Sequence, residues 1–495
     1  MRYLFIFFLM YAGQLTAQHT FYKTLDLDFN NYLVGSIETK DAFFFCGYDK
    51  RISEIGDNLL LIKINKAGDL IWEKRFDFEY NSRYYSILDA GDGFFVGGIR
   101  KNEDEIFKLI AKFDYNGNQL WEKTYSTPIE YPSGQTLASL SAYQGGLLVA
   151  GAIFNPISET QDAQLINMDK DGNILWTKNF GLDDGVEKYN DYFVKTIPTN
   201  NAIYAVYTSV RWSDESYFCT LIKTDLIGNE LWRKEVRSYT STKSPELGTS
   251  IYNTFTILNN GNILMYFVKY HPDDYLSTNR FVEFNSAGEE VNVIQLEYSF
   301  PISPLPASEI SVNEMGEIFI SGSRDYEYTD SLFFQVYAAK FTANYELEWE
   351  SNFGSENQND LHETGIITND GGMLVSGWFF DLNTVKVQSL IVKVDCKGKL
   401  EWDYESCIVP NSPEIKLFPN PFSTQFTIHL PELGLEDKVN IQLFSVAAQL
   451  VYEQTNVGER VIQVRELMLA PAMYIAKISI NDNQKTWIEK VICYS

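Results

Sequence analysis

The chain has 495 residues, 45% hydrophobic and 15% aromatic, with 66 acidic against 40 basic side chains and a net charge of −26. That length exceeds one ordinary hydrophobic core, which leaves either several domains or a repeat that spreads the core along the chain. So acidic a surface repels phosphate and excludes nucleic acid as a partner, and a mean hydropathy of −0.19 is that of a folded, solvated protein.

The first element is an export signal. Met1 and Arg2 give a positive start, Leu4 to Met10 is unbroken apolar chain, and Ala17 supplies the small residue before Gln18. Residues 1–17 read as a signal peptide cut between Ala17 and Gln18. The run is too short to span a bilayer, and no later run of eighteen apolar residues follows, so no transmembrane segment is expected.

From residue 18 to about 408 one pattern recurs: LIKINKAGDLIWEKRF, LIAKFDYNGNQLWEKTY, LINMDKDGNILWTKNF and LIKTDLIGNELWRKEV, then three less regular copies. Each copy reads as a hairpin. Phe107, Leu109, Ala111 and Phe113 alternate with Lys108, Ile110 and Lys112 on its first strand. The turn is Asp-x-x-Gly, where Asp bonds its own turn and Gly accepts a left-handed backbone. The turn glycines are Gly68, Gly117, Gly172, Gly228, Gly288 and Gly398, and Tyr345 stands in that place in the sixth copy, where a rebuilt turn is expected. The second strand carries Trp72, Trp121, Trp176, Trp232, Trp349 or Trp402, with Asn292 in the fifth copy. A lysine precedes most turns (Lys63, Lys112, Lys223, Lys340, Lys393), and is expected on the blade surface.

Upstream of each hairpin lies a second apolar strand, in most copies ending in Gly, as in DAFFFCG, GFFVGG and GGMLVSG. Four strands per unit, repeated about seven times without helical periodicity, predict an all-β chain with a seven-bladed β-propeller; eight blades is the alternative count. Phe21 to Thr24 resembles the Trp-bearing strand without its hairpin, so the N-terminal strand is expected to complete the last blade. The Asp-x-x-Gly turn with Trp four residues after Gly resembles the tryptophan-docking motif of quinoprotein-like propellers, and more loosely delta-60-type repeats of exported bacterial proteins. This resemblance implies architecture and no particular chemistry.

Residues 409–414 read as a Pro-containing linker, and 415–495 as a small Ig-like β-sandwich of alternating strands. Along it stand Pro419, Asn420, Pro421, Leu450, Tyr452, Leu469, Pro471, Tyr474 and Lys490. In these residues the segment resembles the type A C-terminal sorting domain of the type IX (Por) secretion system. Ala447 and Ala448 stand where that family usually has a turn glycine. The resemblance implies a Gram-negative bacterium, passage through the periplasm, the type IX machinery as partner, and a final place outside the cell or on its surface.

Catalytic and metal signatures are sparse. His19, His271, His362 and His429 have no ligand spacing, and no nucleophile elbow, P-loop or dinucleotide fingerprint occurs. Asp169-Lys170-Asp171-Gly172-Asn173 resembles a calcium loop but lacks its later Glu, so no cofactor is expected and calcium is the one weak alternative. Cys46 and Cys219 read as small buried residues, whereas Cys396 and Cys407 are close enough to pair. The inter-repeat loops Tyr266–Tyr275 and Tyr326–Phe333 are Tyr- and Asp-rich, and aromatic platforms there suit sugars. The reading is a non-catalytic propeller that binds a polysaccharide or surface protein. The alternative is a secreted carbohydrate-active enzyme whose acids, among pairs such as Asp183-Asp184 and Asp273-Asp274, come from different blades.

Overall fold

The computed structural model describes residues 20–400 apart from 26, 28, 51–56, 77–80, 102–105, 128–136, 183–186, 214–215, 240–254, 272–275, 297–308, 329–330, 355–358 and 382–385. It also describes residues 416–493 apart from 419–425, 431–436, 446–448, 458–460, 465–468, 471 and 482–484. The chain divides into two compact units, Met1–Cys407 and Ile408–Ser495. The described residues of both are strands and turns without helix.

The described residues of the first unit form seven four-stranded antiparallel sheets. Blade 1 runs Asn30–Glu38, Ala42–Lys50, Asp57–Asn65 and Leu70–Phe76 in spatial order. Its two middle strands are buried on both faces, which is why they read as nearly continuous apolar runs, while Leu70–Phe76 is half-buried and mixed. Blades 2 to 6 begin at Asn81, Leu137, Tyr189, Phe255 and Glu309. Blade 7 takes Asp360–Ile367, Met373–Asp381 and Lys386–Val394 from the end of the unit, and its outer strand is Phe21–Leu25. The first strand of each blade packs on that of the next, and Asp360–Ile367 packs on Asn30–Glu38, so the sheets close a ring. This is a β-propeller.

The hairpin between third and fourth strands is where neighbours lock. In blade 3 the Gly172 N–H donates to Asp169 O at 3.0 Å, and Asp169 Oδ1 accepts the Asp171 and Asn173 N–H groups at 2.9 and 2.8 Å. These bonds, the Asn173 backbone bond first, hold the Asp169 carboxyl below the usual carboxylate range. Gly172 has φ +74°, and a Cβ on it would lie 2.8 Å from Trp121 Cη2 of blade 2. Any side chain would therefore meet both backbone strain and the indole. The same ring-on-glycine contact joins Trp72 to Gly117, Trp176 to Gly228, Trp232 to Gly288 and Trp349 to Gly398. At the closing seam Phe21 sits on Gly68, opposite Lys393 as Trp72 is opposite Lys63. Phe21 thus fills the outer-strand position of blade 7; Trp402 lies outside the described residues.

The blade 5–blade 6 interface departs in both partners at once. Asn292 replaces the Trp and Tyr345 replaces the Gly. The expected rebuilding of the turn does not occur. Thr342 takes the Asp role, its Oγ1 accepting the Asn344 and Glu346 N–H groups at 3.2 Å, and Tyr345 holds φ +67°. The Tyr345 ring packs on Phe281 of blade 5 with centroids 5.7 Å apart, and its hydroxyl donates to Glu283 Oε2 at 3.0 Å. The large ring has moved from the strand to the turn, filling the interface from the opposite side. We expect Asn292→Trp and Tyr345→Gly each to destabilise the protein alone, and the double variant to recover about 1 kcal/mol or more of the summed loss. Strictly additive urea midpoints would refute this exchange.

Three of the five recurring lysines are buried rather than on the blade surface. These are Lys112, Lys340 and Lys393, with Lys112 Nζ 5.4 Å from the Phe95 ring centroid and Lys340 Nζ 5.7 Å from that of Phe319. Their ammonium groups reach Asp92, Glu317 and Asp370 respectively. Lys63 and Lys223 donate to the Tyr115 and Ser286 carbonyls of the next blade's turn. Cys46 and Cys219 are buried and form no disulfide, Cys396 is disulfide-bonded, and Cys407 lies outside the described residues.

In the second unit, a four-stranded sheet orders Leu450–Val457, Lys438–Ser445, Ala472–Ile480 and Lys485–Cys493, and a three-stranded sheet orders Lys416–Phe418, Phe426–His429 and Val461–Val464. Ile428, Val439, Ile441, Leu443, Ile462, Ile478 and Val491 form its core. The alternation of burial along Lys438–Ser445 is the period-two pattern of a half-buried strand.

Candidate functional site

The first strand of most blades carries a β-bulge at a matching place. The register slips between Leu33 and Gly35, Tyr84 and Ser86, Leu137 and Ser139, Phe193 and Lys195, and His362 and Thr364. A bulge adds one residue and re-aims its side chain. The glycine expected to end the second strand lies inside it, since the strand runs on to Lys50, Lys101 or Asp381, and it belongs to the same device: a Cβ at Gly47, Gly98 or Gly377 would overlap the carbonyl of Tyr32, Arg83 or Leu361. Two of the extra residues are Tyr85 and Glu363, and they enter one cluster with residues of blades 1, 2 and 7.

Tyr32 and Tyr48, cross-strand partners in blade 1, stack with ring centroids 4.8 Å apart and planes 18° apart. Trp378 of blade 7 meets Tyr32 edge-on at 5.4 Å. The Trp378 indole N–H donates to Glu363 Oε1 at 2.7 Å. From blade 2, Arg83 lays its guanidinium over Tyr48, 4.6 Å from the centroid, and pairs with Asp57 at 2.5 Å. Burial pushes the Glu363 carboxyl up to about 7, with the indole bond opposing it. Burial likewise raises the Tyr32 phenol, and the Asp57 carboxylate adds to that. The arrangement offers aromatic faces, three phenols and a carboxyl poised near neutral pH, with its one guanidinium already paired.

The residues singled out from sequence lie elsewhere. The Trp and Gly series lines the blade interfaces. The two Tyr-rich stretches expected as loops are largely strand, in Ile263–His271 and in Ile318–Tyr328 with Ser331–Phe341, and Tyr266 is buried against Phe281 and is packing, not a platform. Residues 272–275 and 329–330, the pairs Asp183-Asp184 and Asp273-Asp274, and the cleavage site Ala17–Gln18 lie outside the described residues. Both oxygens of Asp169 accept donors of its own turn, Oδ2 from the Asn173 carboxamide at 2.8 Å. Among the described residues no three His, Cys, Asp or Glu side chains gather as metal ligands. His362 is buried. The signal that sequence reading missed is an aromatic directly after the glycine of the second strand, as in Gly47-Tyr48 and Gly377-Trp378.

In the second unit Tyr474 is buried and its hydroxyl donates to the Ala470 carbonyl at 2.8 Å. Tyr452 and Leu469 pack on the core, Leu450 is exposed, and Lys490 pairs with Ile475 in the strand register. Pro419, Asn420, Pro421 and Pro471 lie outside the described residues. Residues 416–494 match the family described as secretion system C-terminal sorting domain. The second unit is such a sorting domain. The match begins at Lys416, the first strand of the unit, and runs past its last, so it spans both sheets of the sorting domain.

No curated protein matches the chain. Among solved structures, it is similar to the β-propeller domain of the Trilobed protease from Pyrococcus furiosus, with 10% identity, 77% of this chain and 98% of that chain covered, and a TM-score of 0.41. It is similar to the BP39L lectin from Burkholderia pseudomallei, with 9% identity, 75% and 98% covered, and a TM-score of 0.45. It is also similar to PorZ, a surface component of the type-IX secretion system of Porphyromonas gingivalis, with 8% identity, 96% and 100% covered, and a TM-score of 0.19. At these levels the likenesses add nothing to the strand pairing already described. No helix among the described residues is long and apolar enough to cross a membrane.

Proposed function

We propose that this chain is a bacterial propeller exported through the type IX secretion system to the outer cell surface or the medium, where it binds a polymer or protein without chemically altering it. The sorting domain at 416–494 carries the export half of this reading. The apolar run before Gln18 supports a first step into the periplasm. The aromatic cluster of blades 1, 2 and 7 is the binding surface: Asp57 is committed to Arg83 and Glu363 to Trp378, which suits holding a ligand more than attacking one.

Deleting residues 413–495 is expected to leave the truncated chain in the periplasm, read by fractionation of the producing cells. Appearance of that chain in the medium or on the surface would overturn the export reading. One observation favours the second reading, a secreted carbohydrate-active enzyme: a carboxyl near 7 at Glu363 has the value of a general acid. Release of reducing ends from a polysaccharide, abolished by Glu363→Gln, would establish that reading instead.

A further inference from the structure

The blade 1, 2 and 7 cluster has a chemistry that narrows its ligand, on the reading that it binds one at all. Its aromatic faces form a corner: the Tyr32–Tyr48 stack is one wall and Trp378, turned 72° to Tyr32, is the other. All three side chains are only partly buried. Its one guanidinium is satisfied by Asp57, so no described cation in the cluster is left to neutralise an anionic ligand. The chain's net charge of −26 opposes a polyanion as well. Among the described residues the phenols of Tyr32 and Tyr48 have no hydrogen-bond partner, and Glu363 retains a second oxygen beyond its indole bond. An apolar ligand would strand these polar groups, which costs more than it returns.

We propose that this corner binds an uncharged sugar unit of a polysaccharide, with its C–H face on Trp378 and its hydroxyls bonded by Tyr32, Glu363 and the remaining Arg83 donors, Tyr48 being the ring that holds Tyr32 and Arg83 in place. Sugar rings combine an apolar face with a rim of hydroxyls, and a half-buried aromatic corner edged by phenols and a carboxyl matches both halves. The bulges are what make this possible. Without the extra residue at 85 and 363, neither side chain would leave the pleat of its strand.

The test is retention of the full chain on immobilised starch, laminarin and mannan, beside alginate as a polyanion and casein as a polypeptide. Binding to at least one neutral glycan is expected. Trp378→Ala, which removes the platform, and Tyr48→Ala, which removes the ring between Tyr32 and Arg83, should each weaken it about tenfold. Tyr48→Phe, which keeps the ring, should stay within about twofold, and Ile157→Ala, on a distant exposed turn, should change nothing. Equal melting temperatures of Tyr48→Phe and the parent show that the fold is intact. Retention on alginate or casein alone, lost in the same alanine variants, would overturn the sugar while keeping the site. Retention that neither alanine variant reduces would remove the site itself. No retention on any of the five materials would also overturn the sugar assignment.

Discussion

Trp121→Ala is expected to lower the stability of the propeller by about 3 kcal/mol, read as a shift of the urea midpoint. The indole covers Gly172 of the next blade, lies beside Phe95 at 5.9 Å, and has Lys123 Nζ 5.7 Å from its ring. Removing it opens a gap between two rigid sheets that cannot approach, since each is held by its other neighbour. Trp121→Phe should recover part of the loss, because a single ring still reaches the glycine, as Phe21 does at Gly68. A midpoint unchanged within error would mean that the ring-on-glycine contact is incidental. Loss of retention without loss of stability would move Trp121 to a binding role.

The propeller should become less stable as pH rises from about 4 to 7, and Asp191→Asn should remove much of that slope. Asp191 lies on the first strand of blade 4 and is 2% exposed. Burial pushes its carboxyl up to about 7, and the Asp162 carboxylate adds to the rise. The native chain thus holds a proton that the unfolded chain releases near pH 4. Stability from this group is complete below that value and lost as pH climbs through 7. A displacement of that size corresponds to about 4 kcal/mol. At pH 8 the Asn variant should melt above the parent, and near pH 4 the two should coincide. A gap that is constant with pH would show that Asp191 is ionised in the folded protein.

Much of the architecture could be read before any coordinates. Asp-x-x-Gly and the Trp four residues on are local chemistry, and alternation such as Phe107 to Phe113 is local periodicity, so both survive in one dimension. Two things did not. The partner of each Trp is the glycine of the following copy, and spacing within a copy carries no information about which copy lies beside it. The aromatic site draws Tyr32 and Tyr48 from one repeat, Arg83 and Tyr85 from the next, and Glu363 and Trp378 from the last. These residues sit on strands, whereas loops attracted attention, and the bulges that release Tyr85 and Glu363 break the very alternation by which strands are recognised.

The seam of the ring sets the order of folding. Thr20 Oγ1 donates to the Leu400 carbonyl across 380 positions of sequence, beside the pairing of Phe21–Leu25 with Lys386–Val394. Taken alone, closing so long a loop costs about 4 kcal/mol more than closing a four-residue turn. Blades 1 to 6 form from consecutive chain and shorten the gap as each stacks on the last, so most of that cost is met before the ends meet. The first strand made is therefore the last to pair. Until then the third strand of blade 7 stands as an open edge, ready to accept a foreign strand.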